Sequence, residues 1–179
     1  MAAEHRFRPE PDYFAIFDLP RNLDLDAADL EKRFYAQSRK LHPDRFARKG
    51  QEEREKAEQD TAALNDAYRT LREPIPRVMY LLKLEGFDIG EQGTKHVPPE
   101  LLEEIFELNM ALEEDAGSAG AARQRFLEML ADVDREIQQK FSEWDSAHDR
   151  QILAEVRGLL NRRKYISNLI EKTNVPDRV

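Results

Sequence analysis

Apolar residues along this chain recur at steps of three and four, the spacing that gathers one face of an α-helix, and no stretch alternates as a half-buried strand does. A short apolar piece, Tyr13 to Pro20, is stopped by its proline. In the run LDLDAADLEKRFYAQSRKL, Asp26 is placed to cap a helix. Asp29 falls in the first turn, where the helix dipole favours an acid. Leu30, Phe34 and Leu41 share the inner face. Pro43 terminates or kinks this run and pushes His42 away from helical geometry, because its ring crowds the preceding residue. After Gly50, the seam Ala57, Thr61, Leu64, Tyr68 and Leu71 predicts a second helix packed antiparallel on the first. REPIP breaks that helix, and Pro76 can occupy the first turn of a short apolar helix closing at Gly86.

Phe87 to Pro99 is punctuated by glycine and proline and reads as a linker. Three more helices are expected beyond it. The first runs from Pro99 to about Asp115, with Leu101, Ile105, Leu108 and Leu112 as its core seam. The second spans about Ala121 to Trp144, with Phe126, Leu130, Val133, Ile137, Phe141 and Trp144 in one stripe. The last spans about Ser146 to Lys172, with Ile152, Val156, Leu159, Ile166 and Ile170 inward. Short connections imply an antiparallel bundle. The expected architecture is all-α: a helical hairpin with small flanking helices over residues 1–74, a short helix and linker over 75–96, and a three-helix bundle over 97–179.

Charge and composition narrow the function. The 179 residues carry a formal net charge of −8, which argues against nucleic acid as the main partner. With no cysteine, thiolate nucleophiles and thiolate-held zinc or iron–sulfur clusters are excluded, and the histidines (His5, His42, His96, His148) are scattered. No resident metal or other cofactor is expected. Nothing approaches a membrane span, and MAAEHRFRPEPDYF lacks the apolar core of a signal peptide, so a cytoplasmic protein is expected.

Against that acidic background, one segment is basic. At about 100° per residue, Lys32, Arg33, Arg39 and Lys40 lie opposite Leu30, Phe34 and Leu41, forming a ridge nearly free of acids that runs into His42-Pro43-Asp44. Solvated mixed charge is the ordinary use of such a face, and a helix-end histidine is ordinarily a cap or surface residue. Taken together, DYFAIFDLP, LEKRFYAQSRKL, HPD and ALNDAYRTL resemble the J domain, which activates DnaK-type chaperones. The resemblance implies that His42, Pro43 and Asp44 stimulate a partner's ATPase and that Lys32, Arg33, Arg39 and Lys40 dock on its acidic surface.

The segment REPIPRVMYLLKLEGFD, through Pro74, Arg77, Tyr80, Leu81, Leu82, Gly86 and Phe87, is similar to the HscB-like co-chaperones of iron–sulfur cluster assembly. That resemblance implies an HscA-like chaperone and an IscU-like cluster scaffold as partners, with no enzymatic activity in the chain itself. Eukaryotic members carry an N-terminal cysteine-rich metal domain, so this chain looks like the bacterial form. From the residues alone, Leu102, Phe106 and Met110 make a second apolar ridge, rotated about 100° or more from the core seam of their helix. It is either a flank of the core or an exposed binding surface. The resemblance assigns scaffold binding to Leu102, Phe106, Glu107, Asn109, Met110 and Tyr165. Glu103, Met110 and Tyr165 depart from the residue types expected there. A general-folding J protein with a dimerising or client-binding bundle is the alternative. A small hydrolase using His42 and Asp44 fits poorly, because neither a nucleophile nor a phosphate-cradling glycine motif accompanies them.

Overall fold

A computed structural model describes residues 12–87, 99, 102, 103, 105–107, 110 and 119–173, and every element among them is helical. The chain divides into two compact units between Leu81 and Leu82.

In the first unit, Asp12 caps α1 (Tyr13–Ile16) by accepting from the Phe14 amide at 3.0 Å. The helix closes with amide bonds from Asp18 to Ala15 and from Leu19 to Phe14, and Asp18 takes φ 54°. That left-handed closure is the geometry usually given to glycine. α2 (Ala27–Lys40) starts where Asp26 accepts from the Ala28 and Asp29 amides, and Asp29 lies in its first turn as the sequence predicts. α3 (Gln51–Arg72) is the element on which α1 and α2 both pack. Phe14, Phe17, Leu23, Leu30, Leu64, Ala67 and Leu71 fill the space between them. Phe34 stacks on Tyr68 at 4.2 Å.

α4 (Pro74–Leu84) begins two residues before the expected Pro76, with both prolines in the turn whose amides need no acceptor. Gly86, at φ +76°, ends it: the Phe87 amide reaches Leu82 and the Gly86 amide reaches Lys83. Within the first unit, Arg77 is the buried charge. Its guanidinium donates to the carbonyls of Leu71 at 2.6 Å, Arg72 at 3.2 Å and Leu23. Leu71 and Arg72 close α3, so Arg77 satisfies carbonyls that the end of that helix leaves open. Nearby, the Tyr80 hydroxyl accepts from the Tyr13 amide at 2.9 Å and its ring stacks on Tyr13 at 4.3 Å.

In the second unit, α5 (Ala119–Ala147) and α6 (Arg150–Thr173) pair antiparallel. Ion pairs fix the register: Arg163 with Asp134 at 2.6 Å, and Lys140 with Glu155 at 2.9 Å. α5 buries Phe126, Val133, Ile137, Phe141 and Trp144 as predicted, but Met129 is buried beside the half-buried Leu130. On α6, Val156, Ile166 and Ile170 are buried as predicted, but Leu153 and Leu160 are buried in place of Ile152 and Leu159, which are half-buried. Neighbouring positions differ by about 100°, so packing against α5 decides which of each pair faces inward. α6 starts at Arg150 rather than Ser146, because His148 turns left-handed at φ 50° and Asp149 then accepts from the Gln151 amide. The linker residues 88–96 and the seam residues Leu101, Leu108 and Leu112 lie outside the described residues. Ile105, also of that seam, is buried.

Two outcomes check this packing. Arg77→Met should lower the urea unfolding free energy by about 3 kcal/mol, because two buried carbonyls and a third, partly buried one lose a charged donor. Recovery of wild-type stability would contradict the capping role. Burial, above all, raises the Tyr80 hydroxyl above its ordinary 10.0. The folded state therefore holds its proton longer than the unfolded one. The stability so gained is complete below about pH 10 and is lost as pH rises through the folded value. Tyr80→Phe should remove that alkaline loss in pH-dependent melting curves.

Candidate functional site

Between α2 and α3, the chain is held in a series of tight turns. Leu41 ends α2, its amide reaching back to Gln37 and Ser38. His42 takes φ −56° and ψ 133°, the extended conformation that a following proline imposes. A 3₁₀ turn, Pro43–Arg45, follows, with the Arg45 amide on the His42 carbonyl and the Phe46 amide on Pro43. The Lys49 amide then reaches Phe46. The loop is thus bonded from its start to the edge of α3.

His42 also caps this turn. Its Nδ1 accepts from the Asp44 amide at 3.3 Å and lies 3.5 Å from the Asp44 carboxylate. Both contacts are made at Nδ1, which leaves Nε2 without a partner among the described residues. The imidazole is 60% exposed and the Asp44 carboxylate 90%. An imidazole nitrogen and an anionic acceptor are therefore presented side by side on a stiff turn. Pro43 also lines an open pocket of about 350 Å3 whose wall mixes apolar Leu41, Phe46 and Ala57 with Arg54, Glu58 and Asn65.

The four expected ridge cations divide into two kinds. Lys32, Arg39 and Lys40 are exposed, and their side chains make no ion pair among the described residues. Arg33 differs. It bonds Asp29 at 2.7 Å and donates to the carbonyls of Phe17 and Asp18 at 2.9 and 3.0 Å. Its charge caps the end of α1, so the ridge that reaches solvent is carried by the other three. Tyr35, 54% exposed, stands beside Lys32 and Arg39, and the sequence pattern shows it only as one more outward position.

In the second unit, Leu102, Phe106 and Met110 are helical and exposed, Phe106 by 64%, while Ile105 is 3% exposed. The open alternative of the sequence is thereby decided: the second ridge faces outward. Glu103 and Glu107 are exposed beside it. Tyr165 is half-buried on α6 and makes no ring contact among the described residues; Asn109 lies outside them. No cluster of metal-ligating side chains occurs among the described residues, and none of their helices is long and apolar enough to cross a membrane.

Known proteins share both halves of this arrangement. Residues 12–80 match the DnaJ domain and residues 97–174 match the HSCB C-terminal oligomerisation domain. The human iron–sulfur cluster co-chaperone protein HscB is 32% identical over 165 residues, covering 92% of this chain and 68% of its own length. The co-chaperone protein HscB homolog of Cupriavidus taiwanensis is 38% identical over 136 residues, covering 76% of this chain and 74% of its own. The crystal structure of human HscB superposes with a TM-score of 0.67 over 93% of this chain and 82% of its own. HscB from Vibrio cholerae, at 26% identity, gives 0.55 over 90% and 99%. An exposed His-Pro-Asp turn in a J domain, followed by an HscB-type C-terminal domain, thus extends over nearly the whole chain, which belongs to the HscB family of J-domain co-chaperones.

Proposed function

We propose that this protein carries an IscU-like iron–sulfur cluster scaffold to an HscA-like chaperone of the DnaK type and triggers that chaperone's ATPase. The names of its relatives as iron–sulfur cluster co-chaperones support the cargo. The chemistry is done in the partner. His42 and Asp44 offer it an imidazole nitrogen and a carboxylate acceptor, the latter suited to a partner arginine. Pro43 and the bonded turns keep the ordering cost of that contact low. Lys32, Arg39 and Lys40 orient the approach of an acidic surface by a long-range, salt-screened attraction. Arg33 supports the ridge from beneath.

The observation that carries this reading is the exposure of Leu102, Phe106 and Met110 beside the buried Ile105. A J turn alone suits any J protein, whereas an apolar ridge facing water is a surface built to be covered. Leu102, Phe106 and Met110 form the apolar centre of the scaffold contact, with Glu107 beside them and Tyr165 as an aromatic contribution from α6, and Asn109 joins them on the strength of the family resemblance. A J protein for general folding would lose little when one ridge residue is trimmed.

The two surfaces can be tested separately in one steady-state ATPase assay with purified HscA-like chaperone and scaffold. His42→Gln should keep its melting temperature and scaffold affinity but stimulate no hydrolysis. Phe106→Ala should raise the scaffold dissociation constant about tenfold or more, as expected for an aromatic anchor, and still stimulate the chaperone in the scaffold's absence. Stimulation by His42→Gln at the wild-type level would overturn the trigger; unchanged scaffold affinity for Phe106→Ala would overturn the cargo.

A further inference from the structure

Tyr35 is the exposed aromatic of α2, and its surroundings give it a task. Helical spacing places Lys32 and Arg39 about 40–60° to one side of it and Glu31 about 40° to the other, with Lys40 farther round, about 140° away. Neither neighbouring cation lies over its ring among the described residues, so its exposed side is open to contact. The ring is also held. It meets Phe34 at 5.6 Å and 58°, and Phe34 stacks on Tyr68 of α3 at 4.2 Å and 18°. The aromatic row runs from the interface of α2 and α3 out to solvent and ends on Tyr35.

We propose that Tyr35 is an aromatic anchor for the partner chaperone, inserting into an apolar recess that carboxylates border on the partner's acidic docking face. The inference rests on the chaperone reading above and adds a specificity-determining residue to it. Charge complementarity selects the occupant. Lys32 and Arg39, exposed and without ion pairs among the described residues, lie along one side of the ring, so a surface that covers Tyr35 together with them must bring acids to that side. A second copy of this chain would bring the same cations against one another across a symmetric contact. The two kinds of side chain divide the work. Cations accelerate and orient encounter and lose effect as salt rises, whereas an apolar ring buried in contact slows dissociation at any salt. Tyrosine suits this role because it covers much area with few rotatable bonds and keeps a polar tip.

The test uses the full chain and a purified HscA-like chaperone with ATP. It measures the concentration giving half-maximal ATPase stimulation at about 50 and about 300 mM salt, conditions of long and short screening length. Tyr35→Ala should raise that concentration about tenfold at both salts with an unchanged plateau. Tyr35→Phe should stay within about twofold of wild type. Lys32→Ala combined with Arg39→Ala should lose affinity mainly at low salt. Half-saturation unchanged by Tyr35→Ala, a loss confined to low salt, or a reduced plateau would each overturn the anchor while leaving the chaperone reading in place. So would a shift in sedimentation of Tyr35→Ala alone, which would assign the ring to self-association. No stimulation by the unmodified chain would overturn both.

Discussion

Pro43 constrains more of this molecule than any other residue in the first unit. It has no amide proton to give α2, and its ring holds His42 at ψ 133°, so the helix stops and the histidine leaves its axis. The open Asp44 amide then finds Nδ1 of His42, which orients the ring. One missing donor thus produces the turn and the direction of the imidazole. Basic residues of α2 would form a ridge without it, but the ridge would lead to no presented pair.

Charge is used in two ways across the fold. Arg77 and Arg33 both donate to carbonyls at helix ends, the first buried under α3 and the second half-exposed behind α1. Lys32, Arg39 and Lys40 carry the same sign and remain facing water. The difference is one of geometry. Helix-end carbonyls lie within reach of the Arg77 and Arg33 forks, whereas the Arg39 fork, of the same chemistry, faces water like the two lysines. The two arginines therefore support the structure, and the open cations of α2 remain for a partner. In the second unit, Arg163 and Lys140 tie α5 to α6, so the apolar residues of the bundle pack in one register.

Much of the fold was legible because helix boundaries depend on local chemistry. Asp26 caps, Pro43 and Gly86 stop, and the four- and three-residue steps of α3 lead to buried Ala57, Leu64 and Leu71. The HPD turn and both ridges were legible as motifs and angles. What lay across from each residue was not. Arg33 and Lys32 are adjacent on a basic helix, and only the positions of the Phe17 and Asp18 carbonyls separate their roles. Arg77 looks like a surface charge until the end of α3 is folded over it. The choice of Leu153 over Ile152, and Leu160 over Leu159, was made by the opposing helix. Tyr35 was not legible either, because an outward aromatic on a charged helix carries no sequence signal beyond its angle.

The central claim is that trigger and cargo surface act together because one chain carries both. The direct measurement mixes two full-length variants, His42→Gln and Phe106→Ala, with HscA-like chaperone and scaffold, and follows the rate of ATP hydrolysis. Each surface is then intact somewhere in solution but never in the same molecule. The account predicts that the mixture gives no more scaffold-dependent stimulation than Phe106→Ala alone, while an equal amount of wild type gives the full effect. Restoration of the wild-type rate by the mixture would contradict it.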